Sequence, residues 1–326
     1  MAFSELQQVN AIIGLSKNVP GWPSTLADHK YTLTRIELKL TLADPAKPGS
    51  SKVVNPDLLF VSDERNYSLL VELKSGSYQY HDLEQSQNMC DVTPVQLIRD
   101  GRVTLPSVAN VITHKISTML VVNQENLLAF KTGLATCSIC IVSMSRSLIR
   151  AEQGDLNDDK LNNEFKTGIS IDKHYLPSRL IRVLPTTNET KDLKRCVVET
   201  VRDLWVNSER VVNPNVLAQR LFSGGIWELF DTGAQNQFLN LAKLVLKDMH
   251  ETEFNRYLQR VPGSMADWNL LRLPESEAKV RLKAIQTFQK TVRDYKERLL
   301  HDTEYPERRT EQLTLDDVVQ NFMPKE

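Results

Sequence analysis

The sequence predicts an α/β protein, with a mixed-sheet core carrying helices on both faces and a mainly α-helical C-terminal domain. Three observations carry this. Short apolar runs at 58–61, 69–73, 117–122 and 138–144 have the length of buried strands. Stretches of helical period separate the later runs, as in a sheet covered on both faces. From Lys191 onward the period is helical throughout. With 326 residues, 41% of them apolar and 25% charged, the chain has room for two domains or one large one. We divide it into a core at 1–150, a linker or extension at 151–190 and a helical domain at 191–326.

The elements follow in order. Ser4-Glu5-Leu6-Gln7 is a capping-box start, and Leu6, Val9, Ile12 and Ile13 make the apolar stripe of a first helix that ends near Gly14. Trp22, in a loop rich in Pro and Gly, is expected to pack against its own domain rather than stack on a base. Residues 30–42 alternate as a half-buried strand, and the Pro, Gly and Ser of 44–51 turn the chain back. A second strand then spans 53–61 and a third spans 69–74, joined by a polar loop as in a hairpin. Gly76 breaks the third strand, and 77–89 reads as a helix with Tyr80, Leu83 and either Gln87 or Met89 near one face. Residues 95–105 are expected to form a small hairpin turning at Asp100-Gly101. A strand at 117–122, a helix at 125–133 and a strand at 138–144 follow. The polar stretch 150–168 reads as a linker or surface loop, and 179–184 as one more strand.

In the C-terminal half, Val197, Val198, Val201, Leu204 and Trp205 mark one amphipathic helix. Asn213-Pro214 opens a second that stops at Gly224-Gly225, and Asp231/Thr232 opens a longer third. This run resembles a helix-turn-helix or winged-helix module; a plain helical bundle is the simpler reading of the same pattern. Residues 275–300 form a long charged helix, either a solvated face or a local basic patch. Beyond it, Leu313, Leu315, Val318 and Val319 mark a docking segment in a polar tail.

Net charge is −1, so any nucleic-acid partner must be met by a local patch and not by a global basic field. No run approaches the roughly 18 apolar residues of a membrane span. The N-terminus lacks the pattern of a signal peptide, and the expected compartment is the cytoplasm. Cys137 and Cys140 form a C-x-x-C without a second pair at zinc-finger spacing, and are read as a reduced pair in a buried strand.

The chemistry gathers at two neighbouring strands. Asn55-Pro56-Asp57 opens one, and Glu72-Leu73-Lys74 ends the next. Side chains alternate along a strand, so Glu72 and Lys74 share a face. Two acids and a lysine at the ends of apolar strands need partners or a metal. Pro56-Asp57 and Glu72-Leu73-Lys74 resemble the signature of the PD-(D/E)xK nuclease superfamily, which has the restriction-endonuclease-like fold. The resemblance spans roughly residues 4–144. It implies that Asp57, Glu72 and the Leu73 carbonyl hold Mg²⁺ or Mn²⁺, and that Lys74 positions the attacking water and stabilises charge on the phosphate. It implies a glutamine on the following helix, for which Gln85 is the candidate and Gln79 the alternate. It also implies a fourth acid, for which Glu5 and Glu37 both remain open. The expected activity is a metal-dependent DNA endonuclease, in restriction or anti-phage defence by analogy. The alternative is a catalytically silent nucleic-acid-binding or assembly subunit. DNA is the expected partner, with a homodimer or partner subunits needed if both strands are cut.

Overall fold

The computed structural model describes residues 2–43, 51–100, 103–104, 108–185, 190–222, 224–264, 266–271 and 278–301. The chain divides into two units. One comprises Met1–Asn188 with Ala218–Asn240, and the other Glu189–Leu217 with Leu241–Glu326. The turn expected at 44–50, the tip of the hairpin expected at 95–105 and the tail segment at 313–319 lie outside the described residues.

The first unit is mixed α/β. Helix α1 (Glu5–Leu15) starts with the capping box that its sequence announces, Ser4 accepting from the Gln7 N–H. A short α2 (Thr25–Asp28) leads into β1 (Thr32–Ile36). Among the described residues β2 (Leu40–Ala43) and β3 (Ser51–Val54) form a separate two-stranded pair. β4 (Leu58–Ser62) and β5 (Tyr67–Lys74) form the expected hairpin. α3 (Tyr80–Cys90), α4 (Pro94–Arg99) and α5 (Val108–Thr113) carry the chain to β6 (Lys115–Asn123). α6 (Leu127–Gly133), β7 (Cys140–Met144), β8 (Leu148–Gln153), α7 (Asp159–Thr167) and β9 (Ile169–Ser170) follow.

Seven strands make one mixed sheet in the order β1-β4-β5-β6-β7-β8-β9. β5, β6 and β7 run parallel at its centre, and the flanking pairs are antiparallel. The central strands are buried on both faces. Leu69, Leu70 and Val71 of β5, and Met119, Leu120, Val121 and Val122 of β6, have no exposed surface. This is why they read as continuous apolar runs and not as an alternation. Met89 of α3 and Leu97 of α4 pack with Leu59 and Leu70, and Phe130 of α6 packs with Leu120 and Val122.

Five expectations need correction. The strand expected over 30–42 is broken at Glu37, which takes φ +55°, so β1 joins the main sheet and β2 leaves it; the strand expected over 53–61 is likewise split into β3 and β4. The first arm of the hairpin expected at 95–105 is instead part of α4: Thr93 and Gln96 form a capping box, and Pro94 sits in the first turn, where its missing N–H costs nothing. Residues 150–168 are no linker, because β8, α7 and β9 complete the sheet and Asp158 is the buried N-cap of α7. Leu156, Leu161 and Phe165 supply the apolar face there. Asp158 is paired with Arg65 and Tyr31, residues about a hundred positions away that no local window connects to it. Residues 179–184 make a single bridge, Ile181 to Phe222, and not a strand.

Trp22 is buried and donates from its indole N–H to the Ala11 carbonyl, as packing against its own domain requires. Gly14 faces the same indole; a Cβ there would lie 2.5 Å from Pro177 and 2.8 Å from Trp22, so only glycine admits this approach. Of the C-x-x-C, Cys140 is buried in β7, while Cys137 lies outside the strand with its Sγ 4.0 Å from that of Cys90.

The second unit contains α8 (Thr190–Val206) and β10 (Val211–Val212). The chain continues through α9 (Pro214–Leu221) and α10 (Thr232–Glu251) to β11 (Leu258–Arg260), β12 (Trp268–Leu270) and α11 (Ala278–His301). The strands pair in the order β10-β12-β11. Runs of two or three residues are too short to show a period, so the sequence reading missed this sheet. α8 packs on α11, with Trp205 stacked on Phe288 at 4.1 Å. Lys296 and Arg298 of α11 are paired, Lys296 with Glu199 and Arg298 with Asp248 and Glu253, so this part of the charged helix binds its own unit.

Candidate active site

In an antiparallel hairpin the start of one strand lies beside the end of the other. Leu58, the first residue of β4, pairs with Val71, so Asp57 is carried to the end of β5 where Glu72 and Lys74 stand. Asp57 is half-buried, and its Oδ2 accepts the Leu73 N–H at 2.6 Å. Glu72 is 4% exposed. Its Oε1 accepts from Gln85 Nε2 at 2.7 Å and lies 2.9 Å from Lys74 Nζ. Lys74 Nζ also reaches Asp82 Oδ1 at 3.2 Å. Asp57, Glu72, Lys74 and Gln85 therefore converge, as the sequence reading required. Gln85 is in contact with the second acid. Gln79 instead opens α3, its N–H donating to Asp82 Oδ2 at 2.7 Å.

The electrostatics follow from crowding. Burial and the neighbouring Glu72 carboxylate raise the Asp57 carboxyl well above the usual range, against the opposing Leu73 N–H. Burial pushes Glu72 up to about 7 despite the pull of Lys74. Burial alone would lower Lys74, but the Glu72 and Asp82 carboxylates outweigh it and hold the ammonium above its ordinary value. Burial also raises Glu5, and Lys74 draws it back. The site is thus a pocket of carboxyl groups that burial and mutual repulsion drive towards protonation unless further positive charge arrives.

Both candidates for a fourth acid are near. Glu5, in the first turn of α1, interacts electrostatically with Asp57, Glu72 and Lys74. Glu37 donates its N–H to the Asp57 carbonyl at 2.8 Å, and its carboxylate helps to raise the Asp57 carboxyl. Its left-handed backbone costs on the order of 1–3 kcal/mol, a strain held beside the acid cluster.

Two positioning residues escaped the sequence reading. Asp82 is buried and joins the start of α3 to Lys74; its signal is an acid three residues after the position that opens the helix. Gln8 is buried and donates from Nε2 to the Lys74 carbonyl at 3.3 Å; its signal is a polar residue on the apolar side of α1.

Asn123, at the end of β6, secures the frame. Its Oδ1 accepts the Phe3 N–H at 2.9 Å, and its Nδ2 donates to the Phe3 carbonyl at 2.9 Å and the Ser75 carbonyl at 3.0 Å. It thereby ties the segment before α1 to the end of β5. Asn123→Ala is expected to lower unfolding free energy by roughly 2–4 kcal/mol, because these backbone groups lose their partner. Urea denaturation checks this.

The donor set suits a hard divalent cation. It is all oxygen, its acids repel one another, and Glu72 Oε2 is buried without a hydrogen-bond partner. Among the described residues no three His, Cys, Asp or Glu side chains form a ready-made metal cluster. A groove of about 620 Å³ lined by Trp205, Phe288, Val292 and Lys296 belongs to the second unit, and its lining includes no such set of acids.

Among the described residues no helix is long and apolar enough to cross a membrane. No curated protein and no solved structure matches the chain. The family model of the MJECL32 domain matches residues 4–181, which include α1, the hairpin and α3 and so every residue of the cluster. That match covers more than half of the 326 residues, and the chain belongs to the MJECL32 domain family.

Proposed function

We propose that this protein is a metal-dependent phosphodiesterase that cleaves DNA, with a core of the restriction-endonuclease-like type. The observation that carries the reading is the meeting of Asp57, Glu72 and Lys74 at one end of the β4–β5 hairpin, with Glu72 Oε2 left without a partner. The order helix, hairpin, helix, parallel strand around it supports the same reading.

Asp57 and Glu72 would hold Mg²⁺ or Mn²⁺, with the Leu73 carbonyl assigned by resemblance. The ion would supply Lewis acidity and neutralise charge that develops on the phosphate. Lys74 keeps its proton, because Glu72 and Asp82 hold the ammonium charged, and it presents that charge beside the reacting phosphate. Gln85 fixes one oxygen of Glu72 by a 2.7 Å hydrogen bond, so the other oxygen points in a defined direction. Asp82 limits the swing of Lys74.

The order of α8 to β12 and the strand order β10-β12-β11 support a winged-helix reading of the C-terminal half, with DNA as its partner. A role in restriction or anti-phage defence follows from the resemblance alone.

The test is cleavage of plasmid and linear DNA in Mg²⁺ or Mn²⁺. The full chain is expected to cut, EDTA to stop it, and Asp57→Ala to reduce it by on the order of 10³-fold. Binding without cutting in either metal would instead support the catalytically silent subunit.

A further inference from the structure

Two buried side-chain oxygens among the described residues have no hydrogen-bond partner, Glu72 Oε2 and Gln8 Oε1. They belong to two elements, α1 and β5, that meet at the Lys74 carbonyl. Gln8 hangs from α1 and bonds to the carbonyl of Lys74, two residues along β5 from Glu72. Native proteins rarely leave such atoms unsatisfied without a reason.

The direction of the Gln8 amide is dictated by chemistry. A carbonyl oxygen only accepts, so the group facing the Lys74 carbonyl must be Nε2, and Oε1 is turned the other way. The surrounding charge is negative: Glu5, Asp57, Glu72 and Asp82 face one another's fields, with Lys74 the ammonium among them. An anion is therefore disfavoured and a cation favoured. An amide oxygen is a hard ligand for a divalent ion, and it adds no further charge to a crowded acid cluster.

We infer that Gln8 is part of the cation-binding set, its Oε1 and Glu72 Oε2 facing one divalent ion. The inference rests on the metal site proposed above and extends it to α1. It also explains why a polar side chain occupies a fully buried position on that helix.

The test is Mn²⁺ binding to the full chain, followed by electron paramagnetic resonance of the free ion, with DNA cleavage measured separately. Gln8→Leu is expected to weaken Mn²⁺ binding by about 10-fold or more. Gln8→Glu, nearly isosteric, is expected to tighten it several-fold. In a Glu72→Gln background the effect of Gln8→Leu is expected to shrink, because both oxygens serve one ion. Wild-type affinity in a folded Gln8→Leu variant would overturn the inference and assign Oε1 to an ordered water. So would a wild-type chain that binds no Mn²⁺ at millimolar concentration. Should Gln8→Leu fail to fold, Gln8→Glu decides, and unchanged or weaker binding overturns the inference. Weakened Mn²⁺ binding by Gln8→Leu in a chain that cuts no DNA would sink the nuclease reading and leave this one standing. Cleavage with unaltered Mn²⁺ affinity in Gln8→Leu would do the reverse.

Discussion

Lys74→Met is expected to reduce DNA cleavage by on the order of 10³-fold, the scale seen when a preorganised charge is removed from a developing transition state. The loss should fall on kcat more than on KM, since in the proposed mechanism Lys74 would act on the reacting phosphate and not on the remote duplex. Methionine keeps the length and most of the volume of the stem, so the strand end stays packed. The ammonium also has a structural share, lying 2.9 Å from Glu72 and 3.2 Å from Asp82. Removing one partner from a buried ion pair typically costs about 3–5 kcal/mol unless the stranded acid takes up a proton. Glu72 is already pushed up to about 7, so it is expected to do so and to soften that cost. Arginine is a poor substitute, because its planar fork cannot place a point charge between the two carboxylates. Full activity in Lys74→Met would show that the cluster is a structural ion pair, and the catalytic role of this site would fall.

In the metal-free protein, stability is expected to fall as pH rises from about 4.5 to about 7 and to level off above that. The sign follows from the direction of the shifts. A carboxyl whose folded pKa lies above its unfolded value binds its proton more tightly in the folded state. The protein is therefore favoured while that proton is present and loses the advantage as it leaves. For Glu72, moved from 4.5 to about 7, the loss is about 3 kcal/mol. Asp57 and Glu5 are raised as well and add in the same direction. Lys74 does not contribute over this range, because its raised pKa leaves it charged throughout. Glu72→Gln is expected to remove most of the slope, and Asp57→Asn part of it while keeping an acceptor for the Leu73 N–H. Saturating Mg²⁺ should flatten the slope by favouring the ionised acids. Urea denaturation at pH 4.5, 6 and 8, with EDTA or Mg²⁺, measures all of this. Stability that instead rises over that range without metal would mean that the acids are solvated in the folded protein.

What the sequence determined by itself is local or periodic. The apolar runs of β4, β5, β6 and β7 announce buried strands because both their faces are covered, and the Ser4–Gln7 box announces α1 because capping is a contact between near neighbours. Asp57, Glu72 and Lys74 were legible as a group for the same reason, since a hairpin folds residues some 15 positions apart against each other and its alternation sets their faces. Gln85 was legible as a candidate only, because its bond to Glu72 depends on how α3 lies on the sheet. The long-range features emerge only when the elements pack. The place of α7 and β9 on the sheet depends on Asp158 meeting Arg65 and Tyr31, a buried ion pair whose halves look like loop residues when read separately. The clasp of Asp82 on Lys74 and the burial of Gln8 beside the same strand end depend on two helices docking at one point. A polar residue in a sequence does not say whether it faces water or lacks a partner in the core. That distinction belongs to packing, and here it separates an ordinary glutamine from one expected to face a cation.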